Sequence, residues 1–251
     1  MSLSTPPPTL QARFANAGGK PTYVRQMFGR IARVYDLMNR LMTAGLDRRW
    51  RAFAARQLAL GEGDSALDVG TGTGDLAITA ARMYPGAQIV GVDFTPEMLE
   101  RGREKLQRFA LSERVRFQVG DGERLDFADD TFDACCSAFV VRNLADLRGG
   151  LAEMRRVVKP GGSIVCLEIS HPRNKLFSGA FHLYFDRLVP LLGRVVGRAF
   201  DAYSYLPTSV GAFPDAPTLQ RVMTEAGWED VRYYALTGGI VAVHVGIKQL
   251  P

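Results

Sequence analysis

Gly70, Gly72 and Gly74 alternate with two threonines in the stretch Leu67-Asp-Val-Gly-Thr-Gly-Thr-Gly-Asp75. An apolar strand running into such a loop and then a helix lets a ligand rest against backbone N–H groups. Dinucleotides and S-adenosylmethionine are both held this way, and charge discriminates between them. The dinucleotide fingerprint carries a third glycine where this chain has Asp75. Asp68 before the loop and Asp75 after it would repel a pyrophosphate, most of all in a desolvated cleft. S-adenosylmethionine bears an ammonium, a sulfonium and no phosphate, so it suits this sign of charge. Asp93 ends the next strand, where a carboxylate accepts hydrogen bonds from ribose hydroxyls in either cofactor. Gly120-Asp121-Gly122 ends the third strand, where a side chain meets an adenine amino group. Thr71, Thr73 and Phe94 fall in the same cradle. A glycine loop alone can be a structural turn; with Asp93 and Asp121 ending the next two strands it reads as a nucleoside site.

The elements that must position these residues follow from periodicity. Residues 1–20, rich in Pro, Ser, Ala and Gly, predict a disordered tail. From Tyr23 to Leu60 apolar residues recur at helical spacing (Phe28, Ile31, Tyr35, Met38), and Gly45 divides the region into two helices. Strands are then expected at Ser65–Gly70, Gln88–Asp93, Val115–Val119, Phe132–Phe139 and Ile164–Ile169. Helices are expected at Asp75–Tyr84, at Pro96–Phe109 with Thr95 as its N-cap, and at Leu144–Val158, closed by Lys159-Pro-Gly-Gly162. Such alternation predicts an α/β fold with a mostly parallel sheet covered on both faces. Lys175–Phe200 is apolar and helical, a further helix spans Thr218–Ala226, and Trp228–Leu236 with Ile240–Lys248 reads as an antiparallel hairpin around Thr237-Gly-Gly239.

Composition narrows the classes. The chain of 251 residues carries a net charge of +5, unevenly spread. Residues 1–60 hold ten Lys/Arg against two Asp/Glu, and residues 171–200 five against one, so two basic segments join an acidic body. They could face nucleic acid, anionic lipid or simply solvent. Cys135, Cys136 and Cys166 lie in apolar strands, the adjacent pair on opposite faces, so buried free thiols are expected rather than a metal or redox pair. The three histidines, His171, His182 and His244, do not cluster, and no metal is expected. Neither a secretory signal nor a membrane-spanning run is apparent, which predicts a cytoplasmic protein.

Leu67–Asp75, Gly91-Val-Asp93, Gly120-Asp-Gly122 and Lys159-Pro-Gly-Gly162 together resemble the successive motifs of class I S-adenosylmethionine-dependent methyltransferases. That resemblance implies a Rossmann-like seven-stranded sheet ending in an antiparallel hairpin. A narrower one rests on Tyr35-Asp-Leu-Met-Asn39, Arg142-Asn143, Tyr203-Ser-Tyr-Leu206 and Tyr233–His244, which resemble the ubiquinone/menaquinone-biosynthesis C-methyltransferases. It implies methylation of a ring carbon on a polyprenylated quinol such as demethylmenaquinol. The expected organisation is a single domain over 21–251: N-terminal helices 21–60, a cofactor-binding core 61–170, a helical cap 171–226 and the hairpin 227–251. The family commonly places a small hydroxyl on the cofactor side where this chain has Ala138.

A ring carbon attacks a methyl group only when an adjacent hydroxyl ionises. The site therefore needs a group that favours phenolate and a route for the ring proton. Arg142 can supply the positive charge or position a water, with Asn143 and Tyr35 orienting that network; core packing is the rival role for Tyr35, and a strand-end cap for Arg142 and Asn143. The helix 175–200 and the N-terminal helices, with Met38, Leu41, Met42 and Leu46, could cap the site and line a channel for the prenyl tail. Their arginines could face the anionic inner surface of the cell membrane, or the helices could form a homodimer contact. No Asn/Asp-Pro-Pro-Tyr follows the fourth strand, so exocyclic amines of nucleic-acid bases are not the expected acceptor. Two alternatives stay open: methylation of another lipid or phenol, and a non-catalytic cofactor-binding protein recruited to RNA or a partner.

Overall fold

A computed structural model of the chain describes residues 12, 14–16, 18–172 and 200–250. Most of the expected apolar helix 175–200, and of the expected tail, lies outside the described residues. The seven-stranded sheet runs in the order β3-β2-β1-β4-β5-β7-β6. Its strands are β1 (Ser65–Val69), β2 (Gln88–Asp93), β3 (Val115–Val119), β4 (Phe132–Ala138), β5 (Val158–Ile169), β6 (Glu229–Leu236) and β7 (Val241–Ile247). All pairs from β3 to β5 are parallel, whereas β7 runs antiparallel to both β5 and β6. The chain builds outward from β1 to β3 and then crosses back to β4. The strand order therefore reverses between β1 and β4, and a crevice opens beyond their carboxyl ends.

Helices cover both faces, which is why the strands read as unbroken apolar runs. On one face Trp50, Ala54 and Leu58 of α3 (Leu46–Arg56) and its flank pack with α4 (Asp75–Met83) and α5 (Pro96–Arg108). On the other, Leu151 and Met154 of α6 (Leu147–Val157) meet Leu219 and Met223 of α8 (Ala216–Glu225). Cys136 points into the first cluster and Cys135 into the second; both are free, as is Cys166. A third, smaller cluster joins α1 (Lys20–Ile31) and α2 (Tyr35–Thr43) to Tyr205 of α7 (Phe200–Gly211).

Three local expectations are corrected. The N-terminal region holds three helices rather than two. Ala44 and Gly45 break it as expected, both with positive φ, but a second turn at residues 32–34, closed by Val34 N–H to Ile31 O, separates α1 from α2. The turn keeps Tyr35 and Met38 against the same cluster as Ile31, so the apolar period passes through it unbroken. Helix α6 starts at Leu147, not Leu144, because Asp146 caps it by accepting from Gly149 N–H. Lys159-Pro-Gly-Gly162 is not a terminator before the strand but an irregularity inside β5. There Phe132 pairs with Val158 and Ala134 with Ser163. Backbone bonds between Lys248 and Gly161–Gly162 hold this segment on β7.

Candidate active site

The glycine loop is stretched across the end of β2. Thr71 N–H donates to Val92 O (3.0 Å) and Gly72 N–H to Asp93 Oδ2 (2.9 Å). Gly70 has φ 67°, and a Cβ there would collide with Val140, so only glycine lets the loop lie against the end of β4. Asp93 Oδ1 accepts from Thr95 N–H (2.8 Å), which, rather than the Thr95 side chain, organises the start of α5. Burial raises the Asp93 carboxyl above its ordinary value despite these two backbone donors and the Thr95 side chain. A carboxylate has about four acceptor sites, so one remains for a ribose hydroxyl.

Beyond the loop lies a cavity of about 260 Å³. Gly70, Gly72, Asp93, Phe94, Asp121 and Gly122 line it, together with Asn143. Pro21, Thr22, Arg25 and Phe28 of α1 cover it. Lys20 tethers that cover by donating to Leu144 O (2.7 Å) and Arg142 O (3.3 Å). Thr71, Thr73, Gly74 and Ala138 do not line the cavity. Thr71 Oγ donates to Asp68 (2.7 Å) and Thr73 Oγ to Asp36 (2.6 Å), Gly74 packs on the Phe117 ring, and Ala138 packs on the core.

The electrostatic expectation is right in sign but rests on other residues. Asp68 lies beneath the loop, accepting from Thr71 Oγ and Ala77 N–H, and burial pushes its carboxyl up to about 6. Burial also opposes ionisation of Asp75, but Lys105, Arg51 and Arg40 together outweigh it and hold the carboxyl below its ordinary value. Lys105 Nζ bridges Asp75 (2.5 Å), Asp36 (2.8 Å) and Thr73 Oγ (3.0 Å), pinning α2 to the glycine loop. The carboxylates lining the cavity are Asp93, Asp121 and Glu123, set against Arg25. This cavity therefore still favours a cationic ligand over a polyphosphate.

A second cavity, of about 180 Å³, adjoins the first, and Phe28, Tyr35 and Phe139 line both. Its walls are mostly apolar: Ile31, Met42, Leu46, Trp50, Ile169 and Leu206 among them. Arg142 and Tyr35 both reach it, while Asn143 faces the cofactor side and accepts from Tyr205 Oη (3.1 Å). Of the three residues expected to be catalytic, Tyr35 lines both cavities, Arg142 only the second and Asn143 only the first.

Glu168 at the end of β5, unanticipated in the sequence, pairs with Arg142 (Oε1 to Nη1, 2.7 Å), and both are buried. Burial raises the Glu168 carboxyl even against Arg142. Arg142 Nη1 also donates to Phe139 O (2.5 Å), while its Nε, buried, has no partner among the described residues. Phe139 has φ 62°, a strained value for a residue with a Cβ, and the Arg142 bond together with Phe139 N–H to Leu167 O (2.8 Å) holds it there. Burial raises the Tyr35 hydroxyl, against the pull of Arg51 and a hydrogen bond with Asn39. Asp47 and Arg51 form a second buried pair in this wall (2.6 Å), also unanticipated. The signal was a lone carboxylate in the two-face-buried run Ile164–Ile169, and an i,i+4 pair on the apolar side of α3. Among the described residues no group of three His, Cys, Asp or Glu could hold a metal.

The sheet order and the carboxylate-lined cavity at the β1/β4 reversal define a class I S-adenosylmethionine-dependent methyltransferase. A solved structure from Aquifex aeolicus, described as a SAM-dependent methyltransferase, superposes with a TM-score of 0.55 at 18% identity, covering 77% of this chain and 86% of that one. The model of the ubiE/COQ5 methyltransferase family matches residues 16–248, and the chain belongs to that family. It is 46% identical over 226 residues to the ubiquinone/menaquinone biosynthesis C-methyltransferase UbiE of Geobacter sp. (strain M21), covering 90% of this chain and 96% of the relative. It is 43% identical over 230 residues to the demethylmenaquinone methyltransferase of Roseiflexus castenholzii, covering 92% and 95%.

Proposed function

We propose that this methyltransferase transfers the methyl group of S-adenosylmethionine to a ring carbon of a polyprenylated quinol, converting demethylmenaquinol to menaquinol. The observation that carries this is the pairing of the cavities: a carboxylate-lined chamber shares Phe28, Tyr35 and Phe139 as lining with an apolar one that has Arg142 in its wall. The names of the two relatives support the quinol substrate.

Gly70, Gly72, Asp93, Phe94, Asp121 and Gly122 would hold the cofactor, which supplies an electrophilic methyl on a sulfonium. Arg142 lowers the cost of ionising the hydroxyl next to the accepting carbon by placing a guanidinium charge in the cavity wall. Glu168 fixes the guanidinium's orientation through its carboxylate and is itself kept in place by Ile169 N–H (2.8 Å). Tyr205 orients Asn143 at the cofactor side. Tyr35 and Phe139, belonging to both walls, set the plane in which a flat ring lies between the chambers. Transfer would form the new C–C bond as the methyl–sulfur bond breaks, leaving the cofactor as a neutral thioether, and the ring carbon would then pass its proton to water, restoring the aromatic phenolate.

The prenyl tail follows the apolar wall toward Met42 and Leu46. Beside it α2 exposes Leu37 and Leu41, flanked by exposed Arg33, Arg40 and Arg48. An anionic lipid surface is the partner this face fits. Among the described residues no helix is long and apolar enough to cross a membrane, so contact would be peripheral. A dimer in solution that buries Leu37 and Leu41 would instead assign the face to a second copy. The substrate is tested by supplying methyl-labelled S-adenosylmethionine with a quinol extract, with RNA and with phospholipid. Label in the quinol alone is expected; label in RNA or phospholipid refutes the proposal.

A further inference from the structure

The apolar cavity carries a second charged feature that the chemistry above does not use. Asp47 and Arg51, one turn apart on α3, are both buried and both line it. Asp47 Oδ2 accepts from Arg51 Nη1 (2.6 Å) and Oδ1 from Thr43 Oγ (3.0 Å). Nη1 is the guanidinium nitrogen of Arg51 that meets Asp47. Arg51 Cζ sits 5.4 Å from the centre of the Phe139 ring, on a residue whose carbonyl is held by Arg142. Two buried ion pairs thus bear on one aromatic side chain, Arg142–Glu168 through its backbone and Asp47–Arg51 through its ring.

A buried ion pair in an apolar wall costs desolvation that its own attraction offsets poorly, and apolar residues of similar volume usually serve stability as well. Such a pair kept in the wall of a mostly apolar cavity points to a polar group on the ligand. The substrate class proposed above has two oxygens, para to one another across a flat ring. In that reading Asn143, in the wall of the cofactor chamber, and its chain neighbour Arg142 take the oxygen next to the accepting carbon. The opposite oxygen must then lie deeper in the second cavity, whose remaining charged residues are Asp47 and Arg51 among the described lining.

Resting on that reading, we infer that Asp47 and Arg51 form the site for the para oxygen of the quinol: Asp47 accepts its hydroxyl proton in a hydrogen bond, and Arg51 donates to its lone pair. Such a site is specific for a reduced ring with a second hydroxyl. A monophenol leaves the ion pair in an apolar wall without the ligand's second hydroxyl, and an oxidised quinone offers Asp47 no donor. A site built to hydrogen-bond a substrate hydroxyl rejects the analogue that lacks it more strongly than an apolar pocket can.

The test compares the prenylated quinol with the same ring lacking the para hydroxyl. The wild-type protein is expected to show a kcat/KM at least about tenfold higher for the quinol. Asp47→Asn, and the charge-free double variant Asp47→Leu/Arg51→Met, are expected to lower the quinol-to-monophenol ratio of kcat/KM by about tenfold or more. A purely structural pair would lower both substrates together and leave the ratio unmoved, which overturns the inference. Should the variants fail to fold, equal wild-type kcat/KM for the two rings overturns it without them. Methyl transfer to neither ring contradicts the proposed function itself, and this inference with it.

Discussion

Asp68 and Arg142 show at the residue scale how burial turns a charge into a stability or a rate. The folded Asp68 carboxyl keeps its proton up to about pH 6, against an ordinary value of 3.8. Between these values the folded state binds more protons than the unfolded one, so this group's contribution to stability falls as pH rises and levels off above the folded value. The shift corresponds to about 3 kcal/mol. Asp68→Asn cannot titrate, so the unfolding free energy of the wild type minus that of the variant should fall by most of that amount from pH 4 to pH 7 in urea titrations. A difference that is flat or rises with pH contradicts the assignment. For Arg142, removal of the guanidinium strands Glu168 in the core at a cost of about 3–5 kcal/mol. The double variant Arg142→Ala/Glu168→Gln is therefore the cleaner probe. Its kcat should drop about 100-fold, with cofactor affinity by calorimetry changed by no more than about threefold. Unchanged turnover would remove Arg142 from the chemistry. The residue types Arg142, Asn143, Tyr35 and Asp93 were legible in the sequence, but their partners were not. Glu168, Asp47 and Arg51 look like ordinary strand and helix charges until folding buries them. Asp75 looks like a ligand-facing charge until Lys105, thirty residues on, neutralises it.

At the scale of elements, helix α1 is a wall of the cofactor cavity and not an appendage, since Pro21, Thr22, Arg25 and Phe28 all face it. Lys20 holds the helix to the turn that carries Arg142 and Asn143, and burial lowers its ammonium pKa. Lys20→Met should loosen that wall. Loss of hydrogen bonds from a charged donor, about 1.5–3 kcal/mol, should weaken cofactor binding by about tenfold or more in calorimetry; an unchanged affinity would show that α1 does not gate the cavity. Sequence periodicity located β1 to β4 almost to the residue, because a strand buried on both faces is a bounded apolar run and turns flank it. The break at 32–34 escaped because the apolar stripe runs across it. The irregularity in β5 escaped because Lys-Pro-Gly-Gly has the composition of a terminator. What makes it part of a strand is Lys248, far away in sequence, bonding its backbone.

Over the whole molecule, an acidic chamber for a cationic cofactor sits beneath a basic helical layer that carries an apolar cavity. The arginines exposed on α1 to α3, with Leu37 and Leu41, predict binding to vesicles containing anionic lipid at low salt and release as salt rises, read by co-sedimentation. Each arginine near the surface adds on the order of 1 kcal/mol, so binding should fall steeply with ionic strength. Binding that ignores both salt and lipid charge would assign this layer to another partner. The central claim is that the two chambers meet so that a methyl group passes from sulfonium to ring carbon. It is tested most directly by incubating the protein with S-adenosylmethionine bearing a trideuteromethyl group and chemically reduced demethylmenaquinone, then oxidising and analysing the lipid by mass spectrometry. The account predicts a quinone in which the trideuteromethyl group replaces the ring hydrogen. A labelled product that cannot be oxidised to a quinone would place the methyl on oxygen, and it or an unlabelled lipid would contradict the account.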